Sequence, residues 1–477
     1  VRRNHRTGKN EKLRFAGAFF YTVLFRCARR NRAERTEEKE NNTETGFMKI
    51  EKTAAPFLGV NSYDCWGPYI TEDIALRAIE IFAKRLKPAG YEYFCFDANW
   101  YSYGSYDERR AGKAPADEID EYGRWNPAKD KFPHGLGIIA DACHAHGMKF
   151  GVHIFRGIPK VAVERNTKIL GTPYRAQDIC DRDNMCPWGA PCFGIDLSKP
   201  GAQEYYDSEI AYLAEECRVD FLKVDDIAEQ PAEIEAVARA VEKAARPIVL
   251  SLSPGNNVFR GNWDLIRRNA NMLRITGDIW DRVWDLETAF EHWELWENFG
   301  SEECWLDLDM IPFGELQSYI PEGTPLNHVP HDLNEKRQSR LPLEAKRTFM
   351  AQRALAASPL FFGGNLERTP DEDFELITNA EMLACQQNGV TGKRIYGQQF
   401  IDIRKAPRKN DPAHGWIGVF NRRRSDYRYH LPVSALGLPE GTDAASLKDI
   451  WTGRPLDVRD GLLYFDFKEA ESLFFAY

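Results

Sequence analysis

Residues 219–226, Val-Asp-Phe-Leu-Lys-Val-Asp-Asp, carry the first chemistry in the chain: an apolar run of strand length that ends in Lys223 and two adjacent acids, Asp225 and Asp226. Apolar runs bounded by functional polar residues read as buried parallel strands. In a barrel of such strands, reactive groups sit where the strands end, at the C-terminal face. Asp225 is therefore a candidate catalytic carboxylate. Lys223, two residues back, shares its face, whereas Asp226 points the other way, because neighbouring strand residues face opposite sides. A strand tip with merely solvated acids is the plain alternative, and the rest of the chain has to decide between the two.

Strand and helix patterns alternate from residue 57 onward. Strands are expected over 57–63, 91–97, 148–155, 219–226, 247–253, 272–278, 304–311 and 359–363. Helical stripes fall over 71–86 (apolar Ile74, Ala78, Phe82 and Leu86), 138–146, 201–217, 231–245 with Pro231 in the first turn, 258–269 and 343–357. Eight βα units in series predict a closed (β/α)8 TIM barrel over residues 50–388. The long insertions follow strands two, three and seven and so rise over the reactive face. The one over 156–194 is too long for a plain connector, and such loops are usually functional. Past residue 388 the helices stop. Short alternating stretches at 400–404, 415–420, 427–431, 447–451, 462–467 and 473–477, separated by turn residues, predict a C-terminal antiparallel β-sandwich domain over 389–477.

With these strands in place, four acids fall at strand C-termini: Asp97, Asp225, Asp278 and Asp309, accompanied by Lys223 and Arg274. That face converges on one pocket, so four such acids are more than solvated tips. Two carboxylates flanking a bond are what glycoside hydrolysis requires: one attacks or activates water, the other protonates the leaving oxygen. The aromatic content, 12% with 12 Trp, suits sugar faces as well as cores. Net charge is −9, and residues 1–47 hold 12 Lys/Arg against 6 Asp/Glu, so the remaining body is more acidic still. That argues against nucleic acid or an anionic membrane as partner.

At these motifs the chain resembles glycoside hydrolase family 27, the α-galactosidase and melibiase group of clan D, over residues 56–477. Gly90-Tyr-Glu-Tyr-Phe-Cys-Phe-Asp97 followed by Trp100 is similar to the family's second strand, and Phe132-Pro133-His134-Gly135 and Gly147-Met-Lys-Phe-Gly151 to its approach to strand three. Lys223-Val-Asp225 resembles the nucleophile motif, and Arg274-Ile-Thr-Gly-Asp278-Ile-Trp-Asp281 the acid/base motif; Asp307-Leu-Asp309-Met310 and Ser358-Pro-Leu-Phe361 complete the series. The resemblance implies a retaining exo-glycosidase with Asp225 as nucleophile and Asp278 as general acid/base, their carboxyls about 5–6 Å apart. It also implies an oligosaccharide or glycoside substrate and no metal or organic cofactor. By the same resemblance Lys223 contacts sugar hydroxyls beside the nucleophile, Arg274 holds Asp278 or the 2-substituent, Asp97 binds the far hydroxyls and Asp309 lines the site. Trp100 and Tyr63 give apolar walls, and His153 stands where the family carries an aromatic hydroxyl.

The departures bear on the sugar. Family α-galactosidases carry two adjacent Asp at the end of strand two, where this chain has Asp97-Ala98-Asn99; the strand-five Glu for the 2-hydroxyl is replaced by Ser253, followed by Pro254 and Gly255. Ser253 would open volume near the 2-position. α-N-acetylgalactosaminidase, β-L-arabinopyranosidase and isomalto-oligosaccharide-releasing activities therefore stay open beside α-galactosidase, as does a non-catalytic carbohydrate-binding barrel. The strand-three loop is longer than the family's and carries Cys180, Cys186 and Cys192, spaced more widely than zinc-ribbon pairs. It is expected to cover the pocket and offer Trp188 to the substrate, without metal. Residues 1–47 read as a leader or disordered tail, with an apolar core too short to span a membrane. Localisation follows the start: cytoplasmic if translation begins near Met48, secreted or periplasmic otherwise.

Overall fold

A computed structural model describes residues 50–187, 191–254, 260–300, 302–321 and 335–477. Its centre is eight parallel strands: β1 Leu58–Asn61, β2 Tyr93–Phe96, β3 Lys149–Phe155, β4 Phe221–Asp225, β5 Val249–Leu252, β6 Met272–Arg274, β7 Trp305–Asp307 and β8 Leu360–Phe362. They pair in the order β7-β6-β5-β4-β3-β2-β1-β8. Ile311, just past β7, closes the ring: its N–H donates to Phe361 O at 2.8 Å and its carbonyl accepts from Gly363 N at 3.0 Å. The fold is the expected (β/α)8 barrel.

Alternation along these strands builds the interior. Tyr93, Cys95, Phe221, Met272, Trp305 and Phe361 form one apolar cluster inside the barrel. Their neighbours Phe94, Phe96, Leu222, Val224, Leu273 and Leu306 belong to the core between strands and helices. Each buried ring or branched side chain is worth about 1.5–3 kcal/mol of transfer free energy. Continuing the inward faces upward, β2 leads to Asp97, β4 to Lys223 and Asp225, β6 to Arg274 and β7 to Asp307. One period-2 pattern thus makes the lower barrel apolar and its upper rim charged. Gly59 is needed at this layer: a Cβ there would lie 2.6 Å from Phe361 Cε1 and 2.7 Å from Tyr93 O.

The outer helices are α1 Glu72–Arg85, α2 Gly137–Ala145, α3 Ala202–Glu215, α4 Pro231–Lys243, α5 Trp263–Asn269, α6 Val283–Trp296, α7 Leu343–Leu355 and α8 Ala380–Gln387. Thr71 caps α1 by accepting from Ile74 N, and Asn379 caps α8 by accepting from Glu381 N and Met382 N. Two strands are shorter than expected, and this matters for the site. β6 ends at Arg274, so Asp278 stands in a loop. β7 ends at Asp307, and Asp309 has a left-handed φ of 74° that no strand continues through.

The strand-three insertion is not a bare loop. It folds into an antiparallel sheet of Ile158–Pro159, Cys192–Ile195 and Cys180–Met185, with short helices Lys160–Arg165 and Ala176–Ile179. At the C-terminus, β9 Lys393–Gln398, β10 Ile401–Arg408, β11 Asp411–Asn421 and β15 Ser472–Ala476 form one sheet. β12 Tyr427–Pro432, β14 Leu462–Phe467 and β13 Asp457–Arg459 form a second. Trp416, Phe420 and Phe474 join the barrel-side core, while Ile417, Val419 and Phe475 pack toward Leu463 and Phe465 of the second sheet. The strand expected over 447–451 is instead a turn, because Asp449 Oδ2 accepts from Thr452 N (2.9 Å) and Thr452 Oγ1 (2.7 Å) and curls the chain.

Candidate active site

The strand ends converge on a cavity of about 490 Å³ lined by Tyr63, Asp97, Lys223, Asp225, Arg274, Asp278 and Asp309, seven of the residues singled out in the sequence. Ala98, Asn99, Phe155, Pro254, Trp280 and Met310 complete much of its wall. Two cations are threaded through the carboxylates. Lys223 Nζ donates to Asp97 Oδ2 at 2.7 Å, and Asn61 Nδ2 donates to the same oxygen at 2.7 Å. Arg274 Nη1 lies 2.9 Å from Asp278 Oδ1 and 3.1 Å from Asp309 Oδ2.

His153 Nε2 faces Asp225 Oδ2 at 2.9 Å. A carboxylate only accepts, so the imidazole donates from Nε2. Its Nδ1 has no hydrogen-bond partner among the described residues, which fits that tautomer. Burial works against a charge on Asp225, but Lys223, His153 and Arg274 outweigh it and hold the carboxyl far below the usual range. Burial likewise works against Lys223, and Asp225 and Asp97 outweigh it, so the ammonium stays charged. Burial and the Asp309 carboxylate push Asp307, beneath the rim, up to about 7. Burial, with Asp97 next, raises Tyr63 to about 12, so its phenol keeps its proton.

Three of the expected site residues stand elsewhere. Trp100 gives no wall: it is fully buried, its Nε1 donating to His153 O at 2.7 Å. His153 is also fully buried and reaches the pocket only through Asp225. Ser253 is 1% exposed and lines a small void beneath the rim with Ser251, Met272 and Phe361, so Pro254 rather than Ser253 meets the pocket. Trp188 lies outside the described residues. Among those described, nothing from the insertion beyond Phe155 lines the cavity, and no group of three His, Cys, Asp or Glu could hold a metal ion.

One residue the sequence did not single out braces the end of β4. Asp226 has a left-handed φ of 61°. Arg156, 3% exposed, donates Nε to Asp226 O at 2.7 Å, Nη1 to Glu233 at 2.7 Å and Nη2 to Asn184 Oδ1 at 3.0 Å. Its backbone N–H takes Asp225 O at 3.0 Å. A single guanidinium therefore joins the end of β4, the start of α4 and the insertion. Its partners are 28 to 77 residues away in sequence, so no local pattern announces it.

No known protein-family model matches the chain. It is 25% identical to human alpha-N-acetylgalactosaminidase over 360 residues, 72% of each chain, and 24% identical to alpha-galactosidase A of Cellvibrio japonicus over 423 residues, 85% of this chain and 87% of that one. Its structure is similar to that of a family 27 β-L-arabinopyranosidase from Geobacillus stearothermophilus, with a TM-score of 0.78 and 33% identity, covering 89% of this chain and 96% of the other. A carboxylate-lined pocket at the C-terminal face of a (β/α)8 barrel, together with these likenesses, makes the protein a glycosidase. More narrowly, the chain belongs to glycoside hydrolase family 27.

Proposed function

We propose that the protein is a retaining, exo-acting glycosidase of α-galactosidase type, with Asp225 as nucleophile and Asp278 as general acid/base. The observation that carries this reading is the unequal setting of the two carboxyls. The Asp225 side chain is 16% exposed and held ionised, whereas that of Asp278 is 70% exposed with one ion-pair partner among the described residues. In the first step Asp225 attacks the anomeric carbon as the glycosidic bond breaks, and Asp278 gives its proton to the departing oxygen. In the second step Asp278 takes a proton from water, the water oxygen attacks the anomeric carbon, and the bond to Asp225 breaks. Asp225 Oδ1, the oxygen not held by His153, is buried and has no hydrogen-bond partner among the described residues. Asp97, ionised and fixed by Lys223 and Asn61, accepts from sugar hydroxyls.

A β-L-arabinopyranosidase is the second reading. It is favoured by the 33% identity to a structure of that name and by Ala98, which takes the place of a second acid at the end of β2. β-L-arabinopyranose has the ring configuration of α-D-galactopyranose without the hydroxymethyl group, so one pocket can hold both. The test is turnover of aryl α-galactoside, β-L-arabinopyranoside, α-N-acetylgalactosaminide and α-glucoside. The proposal expects the first or second to be fastest; turnover of α-glucoside alone would remove the galactose-type reading and leave the two-carboxylate mechanism.

A further inference from the structure

The pocket contains a carboxyl group that the proposed double displacement does not use. Asp64 lines the cavity although it is 1% exposed. It sits in the four-residue helix Tyr63–Trp66 that follows β1, anchored by Gln317 N donating to its carbonyl at 2.7 Å. Its Oδ2 has no hydrogen-bond partner among the described residues. Glycine at position 363 leaves room for it: a Cβ there would lie 2.3 Å from that oxygen. A buried polar atom left unpaired costs about 1–3 kcal/mol. Such a cost is expected at a site where the missing partner arrives with the ligand.

The charged groups around Asp64 come from three elements. Asp97 stands at the end of β2, Asp278 and Asp281 in the loop past β6, and Asp309 past β7; Arg274 is engaged with Asp278 and Asp309. Burial first, then these carboxylates, pushes the Asp64 carboxyl well above the usual range. A carboxyl that keeps its proton can donate as well as accept, which the ionised Asp97 and Asp225 cannot.

We propose that Asp64 is a substrate-binding residue, its carboxyl O–H donating a hydrogen bond to a hydroxyl oxygen of the glycoside on the Asp278–Asp309 side of the pocket. This rests on reading the pocket as the glycosidase site, and the test separates the two. Kinetics are measured on whichever activated aryl glycoside is turned over, because its leaving group does not need the proton of Asp278. Asp64→Leu keeps the shape and removes the donor. It is expected to raise KM by about tenfold or more while kcat falls less than about threefold, the signature of lost binding common to ground and transition states. Its Tm should hold or rise, because the unpaired oxygen is gone. Asp64→Asn keeps a donor that cannot titrate. It is expected to raise KM less than about threefold and to lack the rise of KM at alkaline pH that the proposal expects of the wild type. An unchanged KM in Asp64→Leu, a fall in its Tm, or an alkaline rise of KM that persists in Asp64→Asn would overturn the proposal. Turnover surviving in Asp225→Ala would instead overturn the underlying mechanism.

Discussion

The end of β4 and the loop past β6 each present one acid to the same pocket, and the fold holds them in opposite ways. Asp225 is the last residue of a paired strand, with His153 on one oxygen and Lys223 two residues back. Asp278 lies four residues beyond a strand of three, tied among the described residues to Arg274 alone and mostly open to solvent. An attacking carboxylate must be ionised and fixed in direction; an acid/base must pick up and release a proton within each turnover. The two settings match those two tasks in the proposed mechanism.

Removing each acid in turn separates the two roles. Asp225→Ala should abolish turnover of every glycoside, by about 10⁴-fold or more, because no covalent step remains. Asp278→Ala should cost about 10²–10⁴-fold on glycosides with poor leaving groups and less than about tenfold on activated aryl ones, where protonation is not needed. Steady-state kinetics on both substrate types checks this; equal losses on both for Asp278→Ala would void the assignment.

A smaller effect is expected at the partner of Asp225 on β3. His153→Phe removes the donor to Asp225 Oδ2 and should lower kcat about 10–100-fold. The sign of the pH effect follows from the shift. Asp225 is held below its usual range partly by this donor, and only the ionised form attacks. Losing the donor raises its pKa, so the acid limb of kcat/KM should move to higher pH. A pH–rate profile with an unmoved acid limb would detach His153 from the nucleophile.

The same contrast shows what the sequence could carry. Asp97, Lys223, Asp225 and Arg274 were legible because the rim continues a period-2 pattern that begins in apolar residues. The barrel followed from eight alternations of strand and helix, and the family from motifs at those strand ends. Contacts between strands were not legible. The hydrogen bond from His153 to Asp225 depends on the register that pairs His153 with Lys223 across β3 and β4. Trp100 reads the same whether it walls a pocket or sits under a neighbouring backbone, and only the fold shows the second. Ser253 faces inward as expected, but one layer too deep, with Pro254 above it. The sheet within residues 158–195 was hidden because its strands are two to six residues long and the longest, Cys180–Met185, is mostly polar. Asp64 gave no signal, since it lies in a helix of one turn.

The most direct measurement is to treat the enzyme with an activated 2-deoxy-2-fluoro derivative of its preferred sugar, which slows breakdown of a glycosyl-enzyme, and to locate the added mass by peptide mapping. The double-displacement account predicts one sugar per chain, on Asp225. A label on Asp278 would reverse the roles, and no label together with an inverted first-formed anomer by NMR would contradict the account.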